Sequence, residues 1–167
     1  MTVTIATWNV NSVKARLTHL LDWLKKDAPD IVLLQETKCT DENFPGMEIE
    51  DLGYNLALFG EKSYNGVAIL SKFPLDDIRR GLPGDEGDTH RRYIEAVVNC
   101  HPERSAAKSK DPSTSPGMTN AVLRVASVYV PNGQEAASDK FQYKLRFLDR
   151  LYAHMQTLLT YDEMLAV

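Results

Sequence analysis

Two stretches near the start of the chain, TVTIATWN at residues 2–9 and DIVLLQE at residues 30–36, decide the reading of the fold. In the first, Val3 and Ile5 alternate with Thr2 and Thr4 and the run closes on Trp8, the pattern of a short strand in a largely buried sheet. In the second, Ile31-Val32-Leu33-Leu34 is a continuous β-leaning apolar run, as expected for a strand covered on both faces. Between them Val13, Leu17, Leu20, Leu21 and Leu24 fall at helical spacing, with Ser12 as the candidate N-cap. Pro29 bars that helix from continuing and is expected to push Ala28 towards extended geometry. A strand, a crossover helix and a second strand normally give two parallel strands joined right-handedly in one sheet. Parallel strands end on the same side, so Asn9 and the pair Gln35-Glu36 should approach each other. The carboxyl ends of strands are where open α/β sheets bind ligands.

Working outward, Phe44 to Leu52 reads as a short helix stopped at Gly53. Tyr54 to Phe59 and Val67 to Leu70 read as a hairpin turning through Ser63-Tyr64-Asn65-Gly66. Leu75 to Arg80 is a weaker strand, and Gly81 to Asp85 is a loop. Tyr93 to Val98 and Val122 to Val130 are strands, separated by a Ser-, Pro- and Lys-rich stretch over 100–120 that reads as a mobile surface loop. Ser138 caps a long helix with Phe141, Leu145, Leu148, Leu151, Met155, Leu158 and Leu159 expected to face the core. Met164 to Val167 is a fresh apolar run that looks like the opening of another buried strand. On that ground the sequence is expected to be one incomplete domain, part of something longer.

Composition bounds the partners. The 167 residues are 43% hydrophobic and 25% charged, ordinary for a globular domain. With 19 basic against 23 acidic residues the net charge is −4, which excludes holding nucleic acid by bulk positive charge but not by a local cleft. No apolar run reaches the ~20 residues of a membrane span, and the N-terminus lacks a basic-then-apolar signal plan. Cys39 and Cys100 could form one bridge at most, so a reducing cytoplasm is the expected home, with no membrane and no obligate protein partner.

Five blocks in this order resemble the exonuclease III family of abasic-site endonucleases and 3′-exonucleases, within the endonuclease/exonuclease/phosphatase superfamily. They are Thr7-Trp8-Asn9-Val10-Asn11-Ser12, Leu33-Leu34-Gln35-Glu36-Thr37-Lys38, Tyr64-Asn65-Gly66-Val67-Ala68-Ile69, Arg91-Arg92-Tyr93-Ile94-Glu95 and Tyr129-Val130-Pro131-Asn132-Gly133. The resemblance implies an α/β fold, the N-terminal part of a four-layer sandwich with two face-to-face mixed sheets flanked by helices. Of these, only the first sheet and its helices are expected to be intact here. It implies a Mg²⁺-dependent phosphodiesterase, with Mn²⁺ able to substitute, acting on duplex DNA with abasic sites or 3′ ends. Carried over by position, Glu36 is the metal-binding carboxylate and Asn9 its neighbour in the metal cluster. Tyr129 is the phenol directed at the scissile phosphate, and Arg92 and Asn132 are the substrate contacts. The family's Gly-Asp-X-Asn block and its Ser-Asp-His are expected beyond the last residue of this sequence. None of His19, His90, His101 or His154 sits in a Ser-Asp-His context.

The chemistry suits these residue types. An anionic phosphodiester resists attack, so a hard cation with oxygen ligands must draw charge off the phosphoryl oxygens. Tyrosine and asparagine add donors where charge grows in the transition state. Plainer readings stand beside these roles. Glu36 at a strand end is also an ordinary surface glutamate, Tyr129 and Trp8 are also core residues, and Cys39 reads as structural. Arg79-Arg80 and Arg91-Arg92, with Lys14, Arg16 and Lys38, are a basic rim or simply solvated charge, and only Arg92 is carried forward. Two rival functions remain: a phosphatase or sphingomyelinase of the same superfamily, and a non-catalytic remnant that binds DNA or a partner.

Overall fold

The computed structural model describes residues 2–100, 122–136 and 138–167. Strand β1 (Ile5–Asn9), helix α1 (Leu17–Asp27) and strand β2 (Ile31–Gln35) form the expected unit, and β1 runs parallel to β2 with Ile5 opposite Ile31 and Asn9 opposite Gln35. After the short helix α2 (Gly46–Glu50) come β3 (Asn55–Phe59) and β4 (Val67–Ser71), an antiparallel hairpin that completes a sheet of order β1-β2-β4-β3. A second sheet of order β5-β6-β7-β8 follows, from β5 (Leu75–Arg80), β6 (Tyr93–Val98), β7 (Leu123–Val128) and β8 (Met164–Ala166). Helix α3 (Asp139–Leu158) is the crossover that makes β7 and β8 parallel.

Strand alternation then builds the layers, because successive side chains point to opposite faces. In β2 and β4, Val32, Leu34, Ala68 and Leu70 face α1 and pack with its Leu20 and Leu24. Their neighbours Ile31, Leu33, Val67 and Ile69 face the other way and meet Ile94, Ala96, Val98, Leu123 and Val125 of the second sheet. On that sheet's outer face Tyr93 and Ala126 pack with Phe147 of α3. The result is a four-layer α-β-β-α sandwich. Each fully buried Leu or Ile contributes about 1.5–3 kcal/mol, so the doubly covered β2 and β4 are its strongest elements.

Several expectations are corrected. The second sheet, expected not to be intact, forms with as many strands as the first, four in each, because β5 to β7 pair as a meander and α3 returns the chain beside them. β1 is an edge strand of alternating exposure rather than a largely buried one, with Ile5 exposed. β8 forms where the fresh apolar run suggested, but at the other sheet's edge with Met164 exposed. Ser12 does not cap α1: its hydroxyl accepts from Ala15 N (3.4 Å) in a preceding turn, and the helix begins only at Leu17. Ala28 is left-handed (φ 44°, ψ 47°), not extended, and terminates α1 as a C-cap. Ser138 does cap α3, accepting from Phe141 N at 3.2 Å. The buried face of that helix is Phe147 and Leu158 with Leu151 and Met155, whereas Leu145, Leu148 and Leu159 are exposed. Apolar residues lie on more than one face of α3, and the rotation observed also places His154 against Glu95 and Tyr143 against Asp88. The stretch expected to be a mobile loop over 100–120 lies, apart from residue 100, outside the described residues.

Candidate active site

Beyond Asn9 and Gln35 the two parallel strands leave the sheet but stay paired. Val10 N donates to Gln35 O (3.0 Å), Ser12 N to Glu36 O (2.7 Å) and Val13 N to Thr37 O (3.1 Å). These bonds hold four non-glycine residues in the left-handed region: Asn11 (φ 43°), Ser12 (φ 86°), Glu36 (φ 55°) and Lys38 (φ 54°). Such conformations cost on the order of 1–3 kcal/mol each and persist only where the surroundings over-determine them. The bracing comes from the hairpin loop, where Thr37 N donates to Gly66 O (3.1 Å) and Lys38 N to Asn65 O (3.0 Å). Gly66 is required there, since its φ is +86° and a Cβ would stand 2.1 Å from Thr37 Oγ1.

The kinked backbone gathers side chains around one carboxylate. Asn9 Nδ2 donates to Glu36 Oε1 at 2.8 Å, while Asn9 Oδ1 accepts from Asn11 N at 3.1 Å. Lys38 Nζ stands 2.9 Å from Glu36 Oε2 and also donates to Asn11 Oδ1. The Asn9 amide, more than any other group, holds the Glu36 carboxyl below its ordinary range; Lys38 and Tyr129 add to this against the opposing effect of burial.

Tyr129 and Arg92 arrive from the second sheet. Tyr129 N donates to Arg92 O (2.8 Å), and the Arg92 guanidinium lies 4.7 Å from the Tyr129 ring centroid. Burial, followed by the nearby Glu36 carboxylate, pushes the Tyr129 phenol up. Arg92 Nε is buried without a hydrogen-bond partner, an unspent donor beside the site. Beneath Glu36, Gln35 Nε2 donates to Ser127 Oγ (3.0 Å), and Ser127 Oγ to Leu34 O (2.8 Å), pinning the two sheets together. The loop leading to Arg92 is riveted to α3. Asp88 accepts from Arg150 Nη1 (2.8 Å) and from Tyr143 OH (3.1 Å), whose phenol is pushed up to about 12 by burial and by Asp88.

Asn9, Glu36, Tyr129 and Arg92 are thus brought together; Asn132 is exposed on the segment after Tyr129 and its side chain makes no hydrogen bond among the described residues. The basic rim is dispersed. Arg79 pairs with Glu95 (3.2 Å), Arg80 Nε donates to Leu58 O (2.7 Å) and Arg91 Nη1 to Gly60 O (2.7 Å). Cys39 is buried and its thiol pushed up by that burial, which fits the structural reading. Sequence reasoning missed Lys38 as the partner of Glu36. The signal was the Glu-Thr-Lys spacing, but only the left-handed kinks turn the lysine back. It also missed Gln35, whose neighbour drew the attention.

Among the described residues no group of three or more His, Cys, Asp or Glu side chains could hold a metal ion. One carboxylate with amide and phenol oxygens still fits a hard divalent cation that keeps most of its waters. The carboxylate already draws a positive charge to itself, as Lys38 shows.

The fold is thus a two-sheet α/β sandwich with a carboxylate at a strand end, faced by a tyrosine from the other sheet. The chain belongs to the endonuclease/exonuclease/phosphatase family, whose model matches residues 6–155. It is 35% identical over 153 residues to exodeoxyribonuclease III of Haemophilus influenzae, covering 91% of this chain and 49% of that protein. A Neisseria 3′ phosphatase solved with a product DNA hairpin superposes with a TM-score of 0.77 at 31% identity, covering 95% of this chain and 53% of that one. An AP endonuclease from Archaeoglobus fulgidus gives 0.74 at 34%, covering 93% and 52%. The chain therefore spans about half the length of the relatives it matches. No helix among the described residues is long and apolar enough to cross a membrane.

Proposed function

We propose that this chain carries the metal-binding side of a DNA-repair phosphodiesterase that incises duplex DNA 5′ to abasic sites and trims 3′ ends, using Mg²⁺ or Mn²⁺. The observation that carries the reading is the junction of Glu36, held by Asn9 from β1, with Tyr129 and Arg92 from the second sheet. Relatives named as nucleases, and one solved with a DNA hairpin, support DNA as the substrate class.

The chain's own residues then divide the work. Glu36 and the Asn9 amide oxygen would hold the divalent ion, which when bound draws charge from the phosphoryl oxygens. The raised phenol stays protonated at neutral pH, so Tyr129 keeps its proton and donates to a phosphate oxygen as negative charge grows. The Arg92 guanidinium, stacked on Tyr129, adds a charge-assisted donor on the same side, and exposed Asn132 is the outer DNA contact. A second reading, DNA binding without turnover, is favoured by one observation: the site offers a single carboxylate and no base beside it among the described residues.

A Mg²⁺-dependent incision assay on duplex DNA with one abasic site, run beside Glu36→Ala, separates them. Cleavage abolished by EDTA and by the variant is the expected result. A folded chain that binds the duplex without cutting it leaves the binding reading standing instead.

A further inference from the structure

Both carboxylate oxygens of Glu36 have partners within the chain, of different kind. Oε1 takes the neutral amide of Asn9, while Oε2 takes the ammonium of Lys38 at 2.9 Å. Lys38 N is tied to Asn65 O and its φ of 54° is left-handed, which turns the side chain back towards a residue only two positions earlier. Asn11 Oδ1, itself on a left-handed residue of the facing loop, accepts from the same ammonium. Strained backbone on both sides of the gap is thus organised around placing one positive charge on one carboxylate oxygen.

A divalent cation ligated by Glu36 would lie within a few ångströms of that ammonium, where like charges repel by several times thermal energy unless water screens them. We propose that Lys38 is a tethered counter-cation: it occupies Glu36 when no divalent ion is bound, is displaced when one binds, and thereby weakens metal binding. The inference rests on Glu36 being a metal ligand. The stem of Lys38 is flexible and its side chain is 29% exposed, so displacement needs no backbone change. Once displaced, the ammonium becomes free for an anionic oxygen of the substrate, so that ion binding and phosphate binding favour each other. Lys38 is in this sense a positioning and regulatory residue rather than a ligand.

Mn²⁺ alone is the probe, its binding to the full 167-residue chain measured by the loss of the free-ion EPR signal. Lys38→Met should bind Mn²⁺ about tenfold more tightly than the parent, the scale of relieving one like charge near the surface. Lys38→Arg, which keeps the charge, should not tighten Mn²⁺ binding. In the unsubstituted chain, Mg²⁺ should move the NMR signal of the Lys38 Cε methylene along the same titration curve as the Glu36 amide, and this holds even if a variant misfolds. Equal or weaker Mn²⁺ binding by Lys38→Met, or a Lys38 signal that stays put while Glu36 shifts, overturns the counter-cation role and leaves the metal site intact. If neither the parent nor Lys38→Met binds Mn²⁺, the metal-ligand reading of Glu36 falls and the counter-cation role falls with it.

Discussion

Glu36 and Glu95 invite comparison, because each is met by a tyrosine and by basic side chains. Glu95 sits within β6, 1% exposed, under α3. It accepts from Tyr93 OH, lies 2.7 Å from His154 Nε2, and pairs with Arg79 (3.2 Å) and Arg124 (3.6 Å). Arg124 in turn reaches Glu163 (2.7 Å) and Asp77 (2.9 Å), and these neighbours drive its guanidinium further towards the charged form. Every one of those partners is supplied by the fold, so nothing is left for a ligand. Glu36 stands just past the end of a strand, 18% exposed, on strained backbone, with its cation on a half-buried side chain. Similar side chains are structural in one place and available in the other. The difference lies in where the topology ends a strand.

The comparison can be broken by substitution. Glu95→Ala removes the buried acceptor shared by Tyr93, His154, Arg79 and Arg124, and of these Arg124 alone keeps carboxylate partners among the described residues, Glu163 and Asp77. Breaking such a buried pair costs about 3–5 kcal/mol, readable by urea unfolding. A loss below about 1 kcal/mol would erase the contrast. At the other site, if the proposed function holds, Tyr129→Phe removes a donor to the phosphate and should slow incision about a hundredfold, while unfolding free energy stays within about 0.5 kcal/mol of the parent. Equal losses of stability and rate would make Tyr129 a packing residue instead.

The smallest effect concerns acid. The Glu36 carboxyl is held below its ordinary value of 4.5, chiefly by Asn9 and Lys38, so its contribution to folding is complete above that value. It disappears as pH falls through the lower folded value. Thermal unfolding followed from about pH 6 to pH 3 should therefore decline slightly less steeply for Glu36→Gln than for the parent. A steeper decline in the variant would mean that the carboxylate is strained, not stabilised, by its neighbours.

Much of this was legible in the residues. The parallel β1–α1–β2 unit, the convergence of Asn9 with Glu36, the hairpin of β3 and β4 and the cap at Ser138 follow from spacing and turn chemistry. Residues 31–34 are apolar without interruption, and only a strand covered on both faces suits them. The rotation of α3 was not legible, because apolar residues occur on more than one of its faces; the buried face carries Phe147 and Leu158, and His154 and Tyr143 meet Glu95 and Asp88. The second sheet was underestimated for a related reason: pairing between β7 and β8 is set by α3, not by any local signal.

The amino-acid sequence alone thus determined the period of each element, the strand ends and the identity of the residues that meet there. Only the tertiary structure decided which glutamate stayed reachable, that Lys38 turns back onto Glu36, and that Arg92 lies over Tyr129. Periodicity records which face of an element is apolar, whereas charge partners are chosen by packing between elements distant in the chain. That choice depends on sheet order and backbone kinks, and neither has a local signature.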